Sequence, residues 1–331
     1  MFDVDRIIKT RILIDPIPTP LPAEFPHDEE VPEGCIELNG LSDDWGYNVD
    51  IHPDIVYAKR DLRNLVMTIL EPRMHDGGPI EDMFKIPSWP CVVYIQGSAF
   101  HEQEIYLQLI RHIRLAQQGF AVAIVQYRPS DMAPFPAQMQ DAKTAIRFVR
   151  KHADEYHIDP ERIAVAGDSS GGHTALMAGF TGDDEPDTPL YSGYSAKVKC
   201  IVDLYGPTVI RLMNYWPSAM DHIGPDSPEG YEIGRKNVLE HPAEADASIP
   251  MNYLSEEKET PPTLIIHGSR DMLVPFNQSV QLYNCMKEMG KEVTFYKINN
   301  AGHGVLGFDN DTVLGIVTDF LKKHLGEPHF D

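Results

Sequence analysis

One serine stands between glycines at a spacing that suits nucleophilic chemistry. Gly167-Asp168-Ser169-Ser170-Gly171 follows the apolar run Ile163–Ala166 and precedes residues with helical patterning. A serine on a sharp strand-to-helix turn is presented to substrate, and only small residues two positions either side leave that turn room. The helix that follows offers free N–H groups and the positive end of its dipole. The spacing makes Ser169 the candidate nucleophile and Ser170 its neighbour, whose backbone N–H can face a developing oxyanion. A serine hydroxyl needs a base to take its proton and an acid to orient that base. After such a turn the acid and then the base follow in chain order. The run Thr263–His267 leads into Gly268-Ser269-Arg270-Asp271, and the run Val293–Ile298 into Asn299-Asn300-Ala301-Gly302-His303. Asp271 and His303 are the candidate acid and base. Asp203, in Val202-Asp203-Leu204, is the alternative acid. His267 and His173 read as structural or packing residues, Asp168 as part of the turn, and Asp141 as a helix-surface or ion-pair residue.

These residues need elements that converge on one edge. Leu65–Leu70, Cys91–Ile95, Phe120–Gln126, Ile163–Ala166, Val198–Leu204, Thr263–His267 and Val293–Ile298 read as strands, several of them continuous apolar runs suited to burial on both faces. Between them lie segments with helical periodicity, such as Leu109, Ile110, Ile113 and Ala116 followed by Gly119. The last has Val313, Ile316, Val317 and Phe320 on one face and Lys322, Lys323 and His324 in its final turn. Strands alternating with helices predict an α/β fold, a mainly parallel sheet covered on both faces. In such sheets chemistry sits beyond the carboxyl ends of the strands, where Ser169, Asp271 and His303 all fall.

Further motifs give this chain a family likeness. Strand Cys91–Ile95 ends in Gln96-Gly97-Ser98-Ala99-Phe100; Tyr127-Arg128-Pro129-Ser130 is followed by Ala133-Pro134-Phe135-Pro136-Ala137 and Asp141; Ser169 is followed by Ser170-Gly171-Gly172-His173. In this order they resemble the α/β-hydrolase serine esterases and lipases over roughly residues 55–325, most of all the branch of bifunctional feruloyl and acetyl-xylan esterases. The resemblance implies an oxyanion loop at residues 96–99, with the Ser98 and Ser170 N–H groups as the expected donor pair and Ala99 as a third. It departs from the family pattern by carrying Gln96, Ser98 and Ala99 where His, Gly and Gly are usual. It also implies hydrolysis of short-chain or hydroxycinnamoyl esters through an acyl-serine, with plant polysaccharide fragments as the source. Aryl formamidase, lactone hydrolase and peptidase activities share the fold, and so does a catalytically silent binding protein. The silent case would predict a missing triad residue, yet all three are present.

The chain divides by composition. Residues 1–55 hold Pro16, Pro18, Pro20, Pro22, Pro26 and Pro32 and an acidic run at Asp28-Glu29-Glu30, which predicts an extended arm ahead of a catalytic domain at 56–331. Residues 206–260 are too long for a plain crossover and predict an insertion over the site. Its aromatics include Tyr215, Trp216, Tyr231 and Tyr253, and Trp216 is the candidate substrate contact. The 331 residues include 28 Lys and Arg against 50 Asp and Glu, a net charge of −22, which argues against nucleic acid and anionic membrane surfaces. No apolar run approaches the roughly 18 residues of a membrane span. Cys35, Cys91, Cys200 and Cys285 form no CxxC pair and read as reduced core thiols. With no H-E-x-x-H and no compact His/Asp cluster, neither metal nor cofactor is expected. No signal peptide is read at the N-terminus, so a cytoplasmic location is the default. The expected partner is a small ester, and a homo-oligomer is compatible with the sequence.

Overall fold

A computed structural model describes residues 32–36, 46–60, 63–73, 87–304, 306–327 and 329–330. Most of the predicted N-terminal arm lies outside the described residues. Its boundary shifts, because the sheet already begins at Asn48. Strand β1 (Asn48–Lys59) and β2 (Asn64–Arg73) form an antiparallel pair, and β2 runs antiparallel to β4 (Ala121–Val125). The remaining partners of the main sheet are parallel: β3 (Pro87–Ile95), β5 (Ile158–Asp168), β6 (Ile201–Leu204), β7 (Thr263–Gly268) and β8 (Val293–Ile298). The order across the sheet is β1-β2-β4-β3-β5-β6-β7-β8, and a short β9 (His329–Phe330) pairs with the start of β3.

That order reverses between β3 and β5. The chain leaves β3 toward β4 on one side and enters β5 on the other, which opens a crevice beyond the carboxyl ends of β3 and β5. The 96–100 loop follows β3, and Ser169 follows β5.

The apolar runs become strands buried on both faces, as their lack of alternation requires. All of β4 and β7, and residues Cys91–Ile95 of β3, are buried. Helices α2 (Ala137–Lys151), α3 (Ser170–Thr181) and α6 (Asn277–Glu288) bring Ile146, Val149, Leu176 and Leu282 against one face. Helices α1 (Leu109–Ala116) and α7 (Asp311–Leu325) bring Leu115, Val313 and Leu321 against the other. Helix α7 is capped at both ends: the Asn310 side chain accepts from Val313 N–H, and Gly326 takes the left-handed φ of +80° after the basic last turn.

The insertion at 206–260 carries two short helices, α4 (Pro228–Glu232) and α5 (Pro242–Ala247), with a small apolar centre of Ile210, Ile233, Val238 and Ala245. Two sequence expectations change. Cys35 is exposed and Cys285 half-buried, so only Cys91 and Cys200 are core thiols, and burial pushes both up to about 12. Of the two readings of Asp141 the ion pair holds and the helix surface does not: it is fully buried and accepts from the Arg128 main-chain N–H (3.0 Å), Arg128 Nε (2.7 Å) and the Arg60 guanidinium. Among the described residues no helix is long and apolar enough to cross a membrane.

Candidate active site

The turn from β5 into α3 is as tight as the small residues foretell. Ser169 sits at φ +52°, ψ −127°, a conformation that L side chains rarely adopt. A Cβ on Gly167 would fall 2.2 Å from Gly171 O, and one on Gly171 2.0 Å from Ile95 O. Neither position has room for any side chain.

Three loops meet at this serine. His303 Nε2 lies 3.0 Å from Ser169 Oγ, and His303 Nδ1 lies 2.7 Å from Asp271 Oδ2. The imidazole thus has the nucleophile on one nitrogen and the carboxylate on the other, with the Nδ1 proton facing Asp271. Tyr205, itself buried at the end of β6, packs edge-on against the His303 ring with centroids 4.7 Å apart.

Asp271 is held as an anion from several sides. Its Oδ1 accepts from Leu273 N–H and Val274 N–H, both at 2.9 Å. Its Oδ2 accepts from His303 and lies 3.2 Å from His267 Nε2. Burial pushes this carboxyl upward, yet the bonds from His267 and His303 outweigh it and hold the group well below the usual carboxylate range. His267 is fully buried, and its Nδ1 contacts Ser279 Oγ at 2.7 Å. The sequence presents it as structural, and its position in the site is as a support for the acid. The available signal was its place at i−4 from Asp271 on the last turn of the same strand-to-loop path.

Asp203 stands one strand away and is built differently. It is fully buried, accepts from Gly206 N–H at 3.0 Å, and its Oδ2 has no hydrogen-bond donor among the described residues. Burial pushes its carboxyl up to about 7. No described contact links it to His303.

The loop after β3 is pinned beside the nucleophile. Asp168 Oδ1 accepts from Gly97 N–H (2.9 Å) and from Tyr94 OH (3.0 Å), and a Cβ on Gly97 would lie 3.0 Å from Ser169 Cβ. Ser98 N–H donates to Ser170 Oγ at 2.9 Å, and Tyr127 OH lies 3.1 Å from Ser98 Oγ and 3.2 Å from Ser170 Oγ. This corrects the expected donor pair, because the Ser98 N–H is already used by Ser170 Oγ at the start of α3. Among the described residues the N–H groups of Ala99 and Ser170 have no acceptor. Ala99 and Phe100 both take left-handed φ angles, +53° and +62°; at 99 the family's usual glycine would rest without strain.

Behind α3 lies a buried pair of ionisable groups. His173 Nε2 is 2.8 Å from Glu232 Oε1, and His173 Nδ1 is 3.0 Å from Pro207 O, so both ring nitrogens face acceptors. Burial alone would lower its pKa, but the Glu232 carboxylate raises it above the ordinary histidine value. Trp216, the expected substrate contact, is half-buried after the turn Ile210–Tyr215, with its main-chain N–H on Met213 O at 3.5 Å. Nothing described brings it to Ser169 or His303. Among the described residues no group of three His, Cys, Asp or Glu side chains is placed to hold a metal ion.

A strained serine after β5, an imidazole between it and a buried carboxylate, and a loop after β3 thus meet at one edge of the sheet. Comparison with known proteins agrees on the lineage. The family model described as BD-FAE matches residues 82–286, more than half of the chain. The chain belongs to the BD-FAE family. Members share the α/β-hydrolase fold, as the sheet order and the crevice here show. Among curated relatives of this BD-FAE chain, the esterase LipC of Mycobacterium tuberculosis is 28% identical over 227 residues, covering 65% of this chain and 53% of that protein. The probable carboxylic ester hydrolase LipM of the same organism is 28% identical over 244 residues, covering 73% and 53%. The chain therefore spans about half the length of these curated relatives. A solved structure described as a truncated form of carbohydrate esterase from gut microbiota superposes with a TM-score of 0.73 at 29% identity, over 87% of this chain and 100% of that one.

Proposed function

We propose that this BD-FAE chain hydrolyses carboxylic esters through an acyl-enzyme on Ser169, with short-chain or hydroxycinnamoyl esters of carbohydrate fragments as its substrates. The observation that carries the reading is the contact of His303 Nε2 with Ser169 Oγ at 3.0 Å, with Asp271 at 2.7 Å behind the same ring.

In this reading His303 takes the Ser169 proton as Oγ attacks the ester carbonyl. The carbonyl oxygen becomes an oxyanion and accepts from the Ala99 and Ser170 N–H groups, aided by the N-terminal end of α3. Asp271 stabilises the imidazolium that forms and keeps the ring in its tautomer. Collapse of the intermediate expels the alcohol, which takes the proton back from His303. Water then enters, gives a proton to His303, and attacks the acyl-serine. The same oxyanion site serves this second addition, and Ser169 leaves with the proton. The named relatives are esterases, and the structural neighbour is a carbohydrate esterase, which favours sugar-borne esters over other substrates of the fold.

The test uses p-nitrophenyl acetate, methyl ferulate and acetylated xylo-oligosaccharide, compared by kcat/KM, together with an organophosphate label read by intact mass. The expected result is turnover of at least one ester and a single phosphoryl adduct on Ser169. Label on another residue, or hydrolysis surviving Ser169→Ala, would overturn the assignment. Brisk acetate turnover with none of methyl ferulate would restrict the substrate to acetyl esters.

A further inference from the structure

We infer that helix α4 of the insertion is a clamp on the oxyanion loop, and that Glu232 and Tyr231 are positioning residues for the Ala99 N–H. The inference rests on the esterase reading above.

The loop needs such a clamp. Two consecutive residues, Ala99 and Phe100, hold left-handed φ angles that favour glycine. A side chain at such an angle stays there only when its surroundings over-determine it. The Ser98 N–H on Ser170 Oγ and the Ser98 hydroxyl beside Tyr127 OH fix the start of the loop, and Ser130 N–H on Phe100 O (2.8 Å) fixes one carbonyl. The outer side of the loop is fixed by α4. The Tyr231 ring packs on the His101 ring with centroids 4.3 Å apart, and the Arg235 guanidinium lies over the Tyr231 ring, 5.0 Å from its centroid. The next residue, Glu232, lies 2.8 Å from His173 Nε2, and the buried Phe100 ring makes a T-shaped contact with the His173 ring, with centroids 5.6 Å apart. Thus successive residues of α4 hold successive residues of the loop, Tyr231 on His101 and Glu232 through His173 on Phe100.

Helix α4 is itself anchored. Ser227 Oγ caps it by accepting from Gly230 N–H (3.0 Å), Glu232 O accepts from Phe135 N–H (2.7 Å), and Glu229 Oε2 lies 2.8 Å from His222 Nδ1. Glu232 and His173 are both about 1% exposed, so no water replaces either partner if the other is removed. Without the clamp, the strained loop relaxes toward ordinary φ values and the Ala99 N–H turns from the oxyanion. The loss then falls on the transition state and not on substrate binding.

The test compares Glu232→Gln with wild type and adds Ala99→Gly, since glycine takes the left-handed angle without help. Folding is checked by near-ultraviolet circular dichroism. Glu232→Gln should lower kcat on p-nitrophenyl acetate by about tenfold or more, the scale of a weakened oxyanion donor, with KM within about twofold. Ala99→Gly in the Glu232→Gln background should recover about threefold or more of that loss, because it removes the strain the clamp opposes. A role in packing alone would lower active enzyme and be indifferent to glycine at 99. If Glu232→Gln does not fold, Tyr231→Leu, on the partly exposed side of α4, carries the same pair of measurements. Unchanged kcat in a folded variant, a change confined to KM, or no recovery with glycine would each overturn the clamp while wild-type turnover leaves the esterase reading standing. If wild type labels no serine and turns over no ester, the esterase reading falls and the clamp with it.

Discussion

Strands β6 and β7 are neighbours, and each brings a buried aspartate to the same edge of the sheet. Asp203, next to last in β6, has one main-chain donor and one oxygen unsatisfied, and its carboxyl rises to about 7. Asp271 follows β7 with two main-chain donors and two imidazoles around it, and its carboxyl stays far below the ordinary range. Burial acts upward on both. The difference is the number of N–H groups aimed at the oxygens, and only an anion can stabilise an imidazolium across a 2.7 Å contact. Location near the sheet edge therefore does not make a carboxylate a partner for His303; the donors of its own loop do.

The comparison presupposes one nucleophile that either acid would serve. Ser169→Ala removes it and should cut kcat by about a millionfold, the scale seen when the serine of a triad is lost. Ser170→Ala keeps its main-chain N–H but removes the hydroxyl on Ser98 N–H and Tyr127 OH, so it should lose far less. Comparable losses at 169 and 170, read from p-nitrophenyl acetate turnover, would dissolve the assignment on which the contrast stands.

Asp271→Asn separates the two acids next. An amide at this position presents a donor toward Nδ1 and favours the wrong tautomer, and kcat should fall by about 10⁴-fold. Asp203→Asn, assayed alongside, should leave kcat within about threefold, since nothing from Asp203 reaches the imidazole. A larger loss at 203 than at 271 would transfer the acid to β6.

The support behind Asp271 is the third test. His267→Asn keeps a small polar group near Ser279 but withdraws the Nε2 donor from Asp271. Hydrogen bonds to charged groups are worth about 1.5–3 kcal/mol, which converts to a fall in kcat of roughly 10- to 100-fold. KM should hardly move. An unchanged kcat would show that the Leu273 and Val274 N–H groups suffice to keep Asp271 ionised. A loss as deep as that of Asp271→Asn would place His267 in the proton path itself.

Much of this was legible in the chain because the decisive constraints are local. Gly167 and Gly171 announce the turn, and the apolar runs announce buried parallel strands. Chain order then leaves Asp271 and His303 at the ends of the last two strands, where the structure brings them to Ser169. What was not legible depends on contacts distant in sequence. The Ser98 N–H is consumed by Ser170 Oγ across the crevice, which moves the free donor to Ala99. The pairing of Glu232 with His173 joins residues that carry no shared motif. Trp216 looked like a substrate contact because aromatic content was the only clue to the insertion, and packing places the Tyr231 ring, not that of Trp216, beside the loop. The start of the sheet at Asn48 was masked by its charged and polar alternation near a proline-rich stretch.

The smallest effect on activity belongs to Asp203, and its signature is in stability. Burial pushes its folded carboxyl up to about 7 against an ordinary 3.8, and outweighs the Gly206 N–H and the nearby His173, which act the other way. Between about pH 4 and pH 7 the folded chain holds a proton there that the unfolded chain has released, so this residue's contribution falls as pH rises. Below pH 4 both states are protonated and the residue is neutral in the balance. Above pH 7 both are ionised, and the buried charge costs on the order of 4 kcal/mol. Asparagine has the shape of the neutral acid and no charge to bury. Asp203→Asn should therefore raise the melting temperature over wild type by several degrees at pH 8 and by little at pH 4, measured by calorimetry at both values. Equal destabilisation at the two pH values would mean that the fold uses the Asp203 carboxylate as an anion. The contrast between β6 and β7 would then rest on chain position and not on the donors around each acid.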